Sequence, residues 1–113
     1  LCRRQYRASV HLLDDIIGGM VDALKRKAMW KDTLLIFTSD NGGAPNGGGT
    51  NFPLRGGKEE MWEGGIRAAA FASGGIIPPS QRGKTLHGMV HIADWYATLV
   101  HLAGGKLLDT VAQ

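Results

Sequence analysis

The sequence has too few cysteines for a disulfide or for a cysteine-based zinc site. Cys2 is the only cysteine among 113 residues, and both kinds of site need at least two. No apolar run approaches the roughly 20 residues that cross a bilayer, so we predict no membrane span. The net charge is only +3 and the basic residues are scattered, so we predict no nucleic-acid binding.

The chain also begins at Leu1, without an initiator methionine and without the charged and apolar segments of a signal peptide. We therefore expect it to start inside a longer protein.

Two common catalytic motifs do not fit either. There is no G-x-S-x-G, so a serine hydrolase has no support. Residues 43–50 nearly match the phosphate-binding pattern G-x-x-x-x-G-K-[ST], but Gly49 stands in the lysine position and Pro53 interrupts the helix that should follow. Without the lysine and the helix N-terminus, the physical basis for cradling a phosphate is lost.

The order of the predicted elements indicates an α/β fold. Residues 8–28 carry apolar side chains at helical spacing and basic residues in the last turn, as in an amphipathic helix. Residues 33–38 have a continuously apolar centre, as in a strand of a parallel sheet that is covered on both faces. Residues 66–72 predict a second strand, and residues 91–103 predict a second helix that ends at a glycine pair. Because two helices and two strands enclose little core, we expect further sequence to complete the fold.

Glycine is the residue type in excess, with 17 copies, and seven of them lie in residues 41–57. A loop of this length without helix or strand is usually functional or disordered. Asp40 and Asn41 stand where the loop begins, just past the predicted strand, and ligands bind at that end of strands in open α/β sheets. Carboxylate and amide oxygens suit a hard cation such as Ca²⁺ or Mg²⁺, although Asp-Asn-Gly is equally good turn chemistry.

Lys58 lies at the other end of this loop, from where its ammonium group can reach back over the same site. A compact positive charge suits an oxygen of sulfate or phosphate. Arg55 and Arg67 could bind the same anion, but we favour structural ion pairs with neighbouring glutamates for both. Trp62 is interpreted as a packing residue.

Five motifs follow one another along the chain. They are L-D-D-I-I-G at residues 13–18, T-L-L-I-F-T-S-D-N-G-G at 33–43, N-F-P-L-R-G-G-K at 51–58, W-E-G-G-I-R at 62–67 and H-I-A-D-W-Y-A-T-L at 91–99. In this order they resemble the sulfatase family, and its arylsulfatase B-like members in particular. The last motif is similar to the family's D-x-x-P-T-L helix, with Ala97 where proline is usual.

The resemblance implies part of an alkaline-phosphatase-like α/β fold, in which helices flank a mostly parallel sheet, and it implies hydrolysis of a sulfate ester. By the same resemblance Asp40 and Asn41 bind one Ca²⁺ ion whose other ligands lie outside this chain, and Lys58 contacts the substrate sulfate in catalysis. The family expectation further includes a lysosomal or secreted location and a sulfated glycosaminoglycan as substrate.

The family's nucleophile is a formylglycine made from the cysteine of a C-x-P-S-R motif, which these 113 residues do not contain. The N-terminal aspartate pair that completes the calcium site is missing too, because Asp14 and Asp15 lie inside a predicted helix. We therefore expect residues 1–113 to be a partial sulfatase catalytic domain that lacks the nucleophile-bearing half. Alone, it should be inactive and bind calcium weakly at most, since Ca²⁺ takes six to eight oxygens.

Two alternatives stay open. The first is a phosphatase or phosphodiesterase relative of the same superfamily, for which zinc and more histidine and aspartate ligands would be expected. The second is a truncated remnant without catalytic activity, or a binding module. The sequence upstream of Leu1 would discriminate this second alternative from a working sulfatase.

Overall fold

A computed structural model describes residues 2–106 of the chain. The helices are α1 (Cys2–Arg26), α2 (Glu63–Ile66) and α3 (Asp94–Leu102), and the strands are β1 (Leu35–Thr38) and β2 (Ala70–Ser73). The chain divides into two compact units after Arg82. The first unit contains α1, α2 and both strands, and the second contains α3.

Helix α1 starts earlier and ends earlier than the predicted residues 8–28. Ala28 has a positive φ of 57°, which takes the chain out of the helix. The amide of Ala28 donates to the carbonyl of Lys25 at 3.0 Å, and the amide of Met29 donates to the carbonyl of Leu24 at 2.9 Å. These two bonds form the Schellman motif that closes many helices, usually around a glycine. The helix therefore ends before Ala28, which the apolar periodicity had placed inside it.

The apolar stripe of α1 is only partly shielded. Ile17, Val21 and Leu24 are half-buried, whereas Val10 and Met20 expose 50% and 56% of their surface. Across residues 2–106, no hydrophobic side chain is fully buried. The buried residues of this part of the chain are glycines, which bring loop backbones into close contact. None of the described helices has the length and apolar character needed to cross a membrane.

Strands β1 and β2 pair antiparallel, with Thr38 opposite Ala70 and Phe37 opposite Phe71. The two phenylalanine rings stack across the pair, with centroids 5.2 Å apart, and such cross-strand aromatic pairs stabilise a sheet. The mostly parallel sheet stays a prediction, because the strand pair found in residues 2–106 is antiparallel.

The second strand begins later than the predicted residues 66–72. Ile66 instead ends the short helix α2, where its amide donates to the carbonyl of Trp62 at 3.1 Å. A β-branched residue favours a strand locally, but the preceding Gly64 and Gly65 are buried and pack against loop backbone. This tertiary packing overrides the local preference of Ile66.

The second unit confirms the predicted helix and corrects its start. Residues 91–103 were the predicted range, and α3 spans Asp94–Leu102. The carboxylate of Asp94 accepts the amide of His91 at 2.7 Å, and the ring Nδ1 of His91 accepts the amide of Ala93 at 3.2 Å. These two bonds satisfy amides that immediately precede the helix, whereas its N-cap residue, Ala93, makes no side-chain cap. Gly104, with a φ of 77°, lies just beyond its end.

Candidate functional site

The chain that leaves β1 runs beside the segment that leads into β2. The amide of Ser39 donates to the carbonyl of Ala69 at 2.9 Å, which extends the strand pairing by one residue. The amide of Gly42 donates to the carbonyl of Gly65 at 2.7 Å. Residues 40 and 41 are therefore held between two backbone anchors at the carboxyl end of β1, which is the position the sequence predicts.

Asp40 and Asn41 both leave a side-chain oxygen available. Oδ1 of Asp40 accepts the amide of Asn41 at 3.0 Å, and Nδ2 of Asn41 donates to the carbonyl of Gly42 at 2.8 Å. The second bond fixes the orientation of the Asn41 amide, because only its nitrogen can donate. In residues 2–106 no hydrogen bond involves Oδ2 of Asp40 or Oδ1 of Asn41. These two oxygens have the chemistry that a hard divalent cation requires.

Two oxygens are nevertheless fewer than such a cation needs. Ca²⁺ takes six to eight oxygen ligands, and the part of the chain that the structure describes contains no cluster of three or more histidine, cysteine, aspartate or glutamate side chains that could hold a metal. Asp40 and Asn41 can therefore supply only part of the ligand set of a metal site.

Buried glycines allow the loops around these residues to stack backbone on backbone. A Cβ added to Gly42 would overlap the carbonyl of Gly64, and a Cβ on Gly64 would overlap the carbonyl of Gly56. Gly65 is equally tight, because its Cβ would overlap the carbonyl of Gly57. Glycine permits this approach because it has no side chain. The close contacts explain several glycines in residues 41–65.

Lys58 belongs to the same group of loops. Its amide donates to the carbonyl of Gly43 at 3.2 Å, and Gly43 lies only two residues beyond Asn41. Lys58 is exposed, and among the described residues its ammonium group forms no ion pair. The structure therefore brings the chain at Lys58 next to the loop that carries Asp40 and Asn41, and leaves the lysine charge available.

Asn51 joins these two loops, although sequence reasoning gave it no role. Its Oδ1 accepts the amide of Gly43 at 2.7 Å, while its Nδ2 donates to the carbonyls of Gly43 at 2.8 Å and of Gly56 at 3.0 Å. Asparagine is common in turns, so an asparagine in a glycine-rich loop carries no distinct signal. The only sequence feature that singled out Asn51 was its place in the motif at residues 51–58.

The two arginines contact different neighbours. The guanidinium group of Arg67 pairs with the carboxylate of Glu63 at 3.3 Å. The guanidinium carbon of Arg55 lies 3.5 Å from the ring centroid of Trp62, so the expected glutamate partner of Arg55 was wrong. Trp62 is 48% exposed and serves as the surface on which Arg55 stacks.

A cleft of about 280 Å³ borders the site on the side of Asn41. Asn51 and Arg67 contribute to its wall, whereas Asp40 and Lys58 do not. The cleft therefore includes Asn41, one of the two predicted metal ligands, but neither Asp40 nor Lys58.

The chain matches a known protein family over nearly its whole length. The family model described as Sulfatase matches residues 2–105. Arylsulfatase J from Mus musculus is 44% identical over 109 residues, covering 96% of this chain and 18% of that protein. N-acetylgalactosamine-6-sulfatase from Mus musculus is 37% identical over 110 residues, covering 92% of this chain and 20% of that protein. The chain thus spans about a fifth of the length of these curated relatives.

A solved structure shares the fold. The chain superposes with a TM-score of 0.86 and 36% identity on the crystal structure of Ps i-CgsB in complex with k-i-k-neocarrahexaose. The match covers 94% of this chain and 23% of that one. The fold of this chain is therefore similar to that of part of a larger crystallised protein.

Proposed function

The chain belongs to the sulfatase family, and we propose that it forms the metal- and sulfate-binding part of a calcium-dependent enzyme that hydrolyses sulfuric esters. The hydrogen bond from the amide of Lys58 to the carbonyl of Gly43 carries this proposal. It holds a lysine beside the loop that presents the free oxygens of Asp40 and Asn41. A sulfate group bound there would be contacted by the calcium ion on one side and by the ammonium group of Lys58 on the other.

Each of the three residues has a distinct role in this proposal. Asp40 would hold one Ca²⁺ ion through its carboxylate, and Asn41 would hold it through its amide oxygen. A calcium ion in this position supplies the positive charge that polarises the oxygens of a sulfate ester. Lys58 would direct its ammonium group at another sulfate oxygen and stabilise the negative charge that develops during hydrolysis.

The attack on sulfur is assigned to a group outside these residues. The resemblance implies a formylglycine nucleophile, made from a C-x-P-S-R motif that the 113 residues do not contain. Residues 1–113 are accordingly proposed to be a partial catalytic domain, inactive on their own. The proposal also places the missing calcium ligands in the part of the protein that carries the nucleophile.

A sulfated polysaccharide, such as a glycosaminoglycan, is the proposed class of substrate. N-acetylgalactosamine-6-sulfatase carries a sugar in its name, and the matched crystal structure holds the oligosaccharide neocarrahexaose. A lysosomal or secreted location, which is the family expectation, belongs to the same proposal.

The first test uses the complete gene product, meaning the protein translated from the whole open reading frame that contains these residues. Hydrolysis of an aryl sulfate and of the matched aryl phosphate would be measured before and after chelation of metals. We expect the sulfate ester to be the better substrate, with activity lost on chelation and restored by Ca²⁺. Preference for the phosphate ester would favour the phosphodiesterase alternative, and turnover of neither ester would favour the non-catalytic remnant.

Substitutions in the same protein test the individual roles. We expect Asp40→Ala to raise the Ca²⁺ concentration for half-maximal activity by at least about 10- to 100-fold, because loss of a residue that only supports a metal ligand already has an effect of that size. We expect Lys58→Ala to lower kcat/KM by about 10²- to 10³-fold, as for loss of one charge-stabilising contact. Asp32→Ala and Lys31→Ala are matched controls, because these residues form an exposed pair at 3.8 Å. Full kcat/KM in Lys58→Ala would refute its role.

A further inference from the structure

The side-chain amide of Asn51 forms two hydrogen bonds with the backbone of Gly43, which lies eight residues away in the sequence. Its oxygen accepts the amide of Gly43, and its nitrogen donates to the carbonyl of the same residue. This pairing copies the exchange of hydrogen bonds between two strands and needs a donor and an acceptor side by side. Glutamine carries the same group on a longer side chain, and aspartate has no donor.

The same side chain reaches a second loop. Its nitrogen also donates to the carbonyl of Gly56 at 3.0 Å, and Gly56 lies two residues before Lys58. Gly43 in turn lies two residues after Asn41, and its carbonyl also accepts the amide of Lys58 at 3.2 Å. One half-buried amide therefore connects the loop of the candidate metal ligands with the loop of the candidate sulfate contact.

The packing around Asn51 leaves this group little freedom. A Cβ on Gly57 would lie 2.8 Å from the carbonyl oxygen of Gly43 and 3.1 Å from Nδ2 of Asn51. A Cβ on Gly43 would lie 3.2 Å from Oδ1 of Asn51. The carbonyl of Asn51 also accepts the amide of Leu54 at 2.8 Å, which turns the chain back toward Gly56. Side-chain and backbone bonds thus converge on Asn51.

We infer that Asn51 is a positioning residue, which sets the distance between the metal ligands Asp40 and Asn41 and the sulfate contact Lys58. It acts through the backbone of the two loops and is not assigned any contact with the substrate. The inference rests on the proposed function, because that function gives the spacing of the two loops its chemical importance. Misplacement of a catalytic group by about 1 Å can lower a rate by about 10²-fold.

Asn51→Asp is the informative substitution, because aspartate has the same shape and can still accept the amide of Gly43. It cannot donate to the carbonyls of Gly43 and Gly56, and its carboxylate would face both of these oxygens. Asn46→Asp is the matched control: it makes the same charge change at an exposed position of the same glycine-rich loop. No side-chain hydrogen bond of Asn46 is found in residues 2–106.

The experiment measures kcat and KM of the complete gene product with an aryl sulfate at saturating Ca²⁺, per folded molecule. We expect Asn51→Asp to lower kcat by about 10- to 100-fold while Asn46→Asp remains within about twofold of the native protein. A purely structural role would reduce the folded fraction and leave kcat per folded molecule unchanged. An unchanged kcat in Asn51→Asp would therefore overturn the inference.

Hydrogen exchange separates failure of this inference from failure of the proposed function. Exchange of the amides of Gly43 and Lys58 is measured in the native protein, Asn51→Asp and Asn46→Asp without substrate. We expect faster exchange of the Lys58 amide in Asn51→Asp alone, because the new carboxylate faces the Gly43 carbonyl that accepts this amide. The Gly43 amide keeps its acceptor in this variant and serves as an internal reference, and unchanged exchange at Lys58 would overturn the connection between the loops. If the native protein hydrolyses no sulfate ester, the proposed function fails. Faster exchange in Asn51→Asp would then show only that Asn51 connects the two loops. The positioning role would be overturned together with the function.

Discussion

Gly43 and Asn51 exchange two hydrogen bonds, at 2.7 and 2.8 Å, between the backbone of the glycine and the side-chain amide of the asparagine. The pair lies between the end of β1 and Lys58, so it joins the segments that carry the candidate site residues. These polar contacts and the close glycine contacts connect the loops of the candidate site directly. Substitutions that disturb them should affect the site more than changes elsewhere on the surface.

Gly42→Ala should destabilise the complete gene product by at least about 3 kcal/mol, the upper range for overpacking. The added Cβ would overlap the carbonyl of Gly64, which is backbone and cannot rotate away. Gly47→Ala is the control in the same loop, because its Cβ would meet only the side chain of Ala44, at an ordinary 3.7 Å. The measurement is the midpoint of thermal unfolding, together with the soluble yield.

The control should change stability by no more than about 0.5 kcal/mol, as at most surface positions. Equal unfolding midpoints for Gly42→Ala and Gly47→Ala would show that the segment around Gly64 can shift to accept a methyl group. The close stacking of residues 42, 64 and 56 would then not be needed for the fold.

Local sequence signals predicted where the candidate residues lie better than they predicted the boundaries of the elements. Asp40 and Asn41 follow a short apolar strand, and strand ends collect ligands for reasons of topology, so their position could be read directly. The proximity of Lys58 followed from its place at the end of the glycine-rich loop. Each of these inferences needed only residues that are close in sequence.

Features that depend on distant contacts could not be read in this way. The bonds of Asn51 join residues that are eight and five positions apart through a loop of irregular backbone, and no periodic pattern encodes them. Ile66 favours a strand by its own preference, yet buried glycines place it in α2. The antiparallel pairing of β1 could not be predicted either, because a continuously apolar strand indicates that it is buried and does not indicate the direction of the neighbouring strand.

Ala28→Gly should stabilise the complete gene product by about 1 kcal/mol. Ala28 has a φ of 57° at the end of α1, and a left-handed conformation costs an alanine roughly 1–2 kcal/mol, which glycine largely avoids. Ala8→Gly makes the identical change at an exposed position inside α1 and should destabilise by about 1 kcal/mol. Thermal unfolding of both variants is compared with the native protein, and a lower midpoint for Ala28→Gly would contradict the Schellman end of the helix.

Asp94→Ala should loosen the start of α3. The carboxylate of Asp94 accepts the amide of His91 at 2.7 Å, and the ring of His91 accepts the amide of Ala93. Loss of one intramolecular hydrogen bond typically costs about 1 kcal/mol, which corresponds to about fivefold faster hydrogen exchange through local opening. The measurement is exchange by mass spectrometry in a peptide that covers residues 91–102.

Asp94→Asn separates the effect of the hydrogen bond to His91 from the effect of the negative charge. Asparagine keeps an oxygen that can accept the amide of His91, so exchange should stay closer to the native rate than in Asp94→Ala. If both variants exchange at the native rate, the hydrogen bond between Asp94 and His91 does not stabilise α3. If both accelerate equally, the negative charge at the helix start is responsible, and the hydrogen bond to His91 is not.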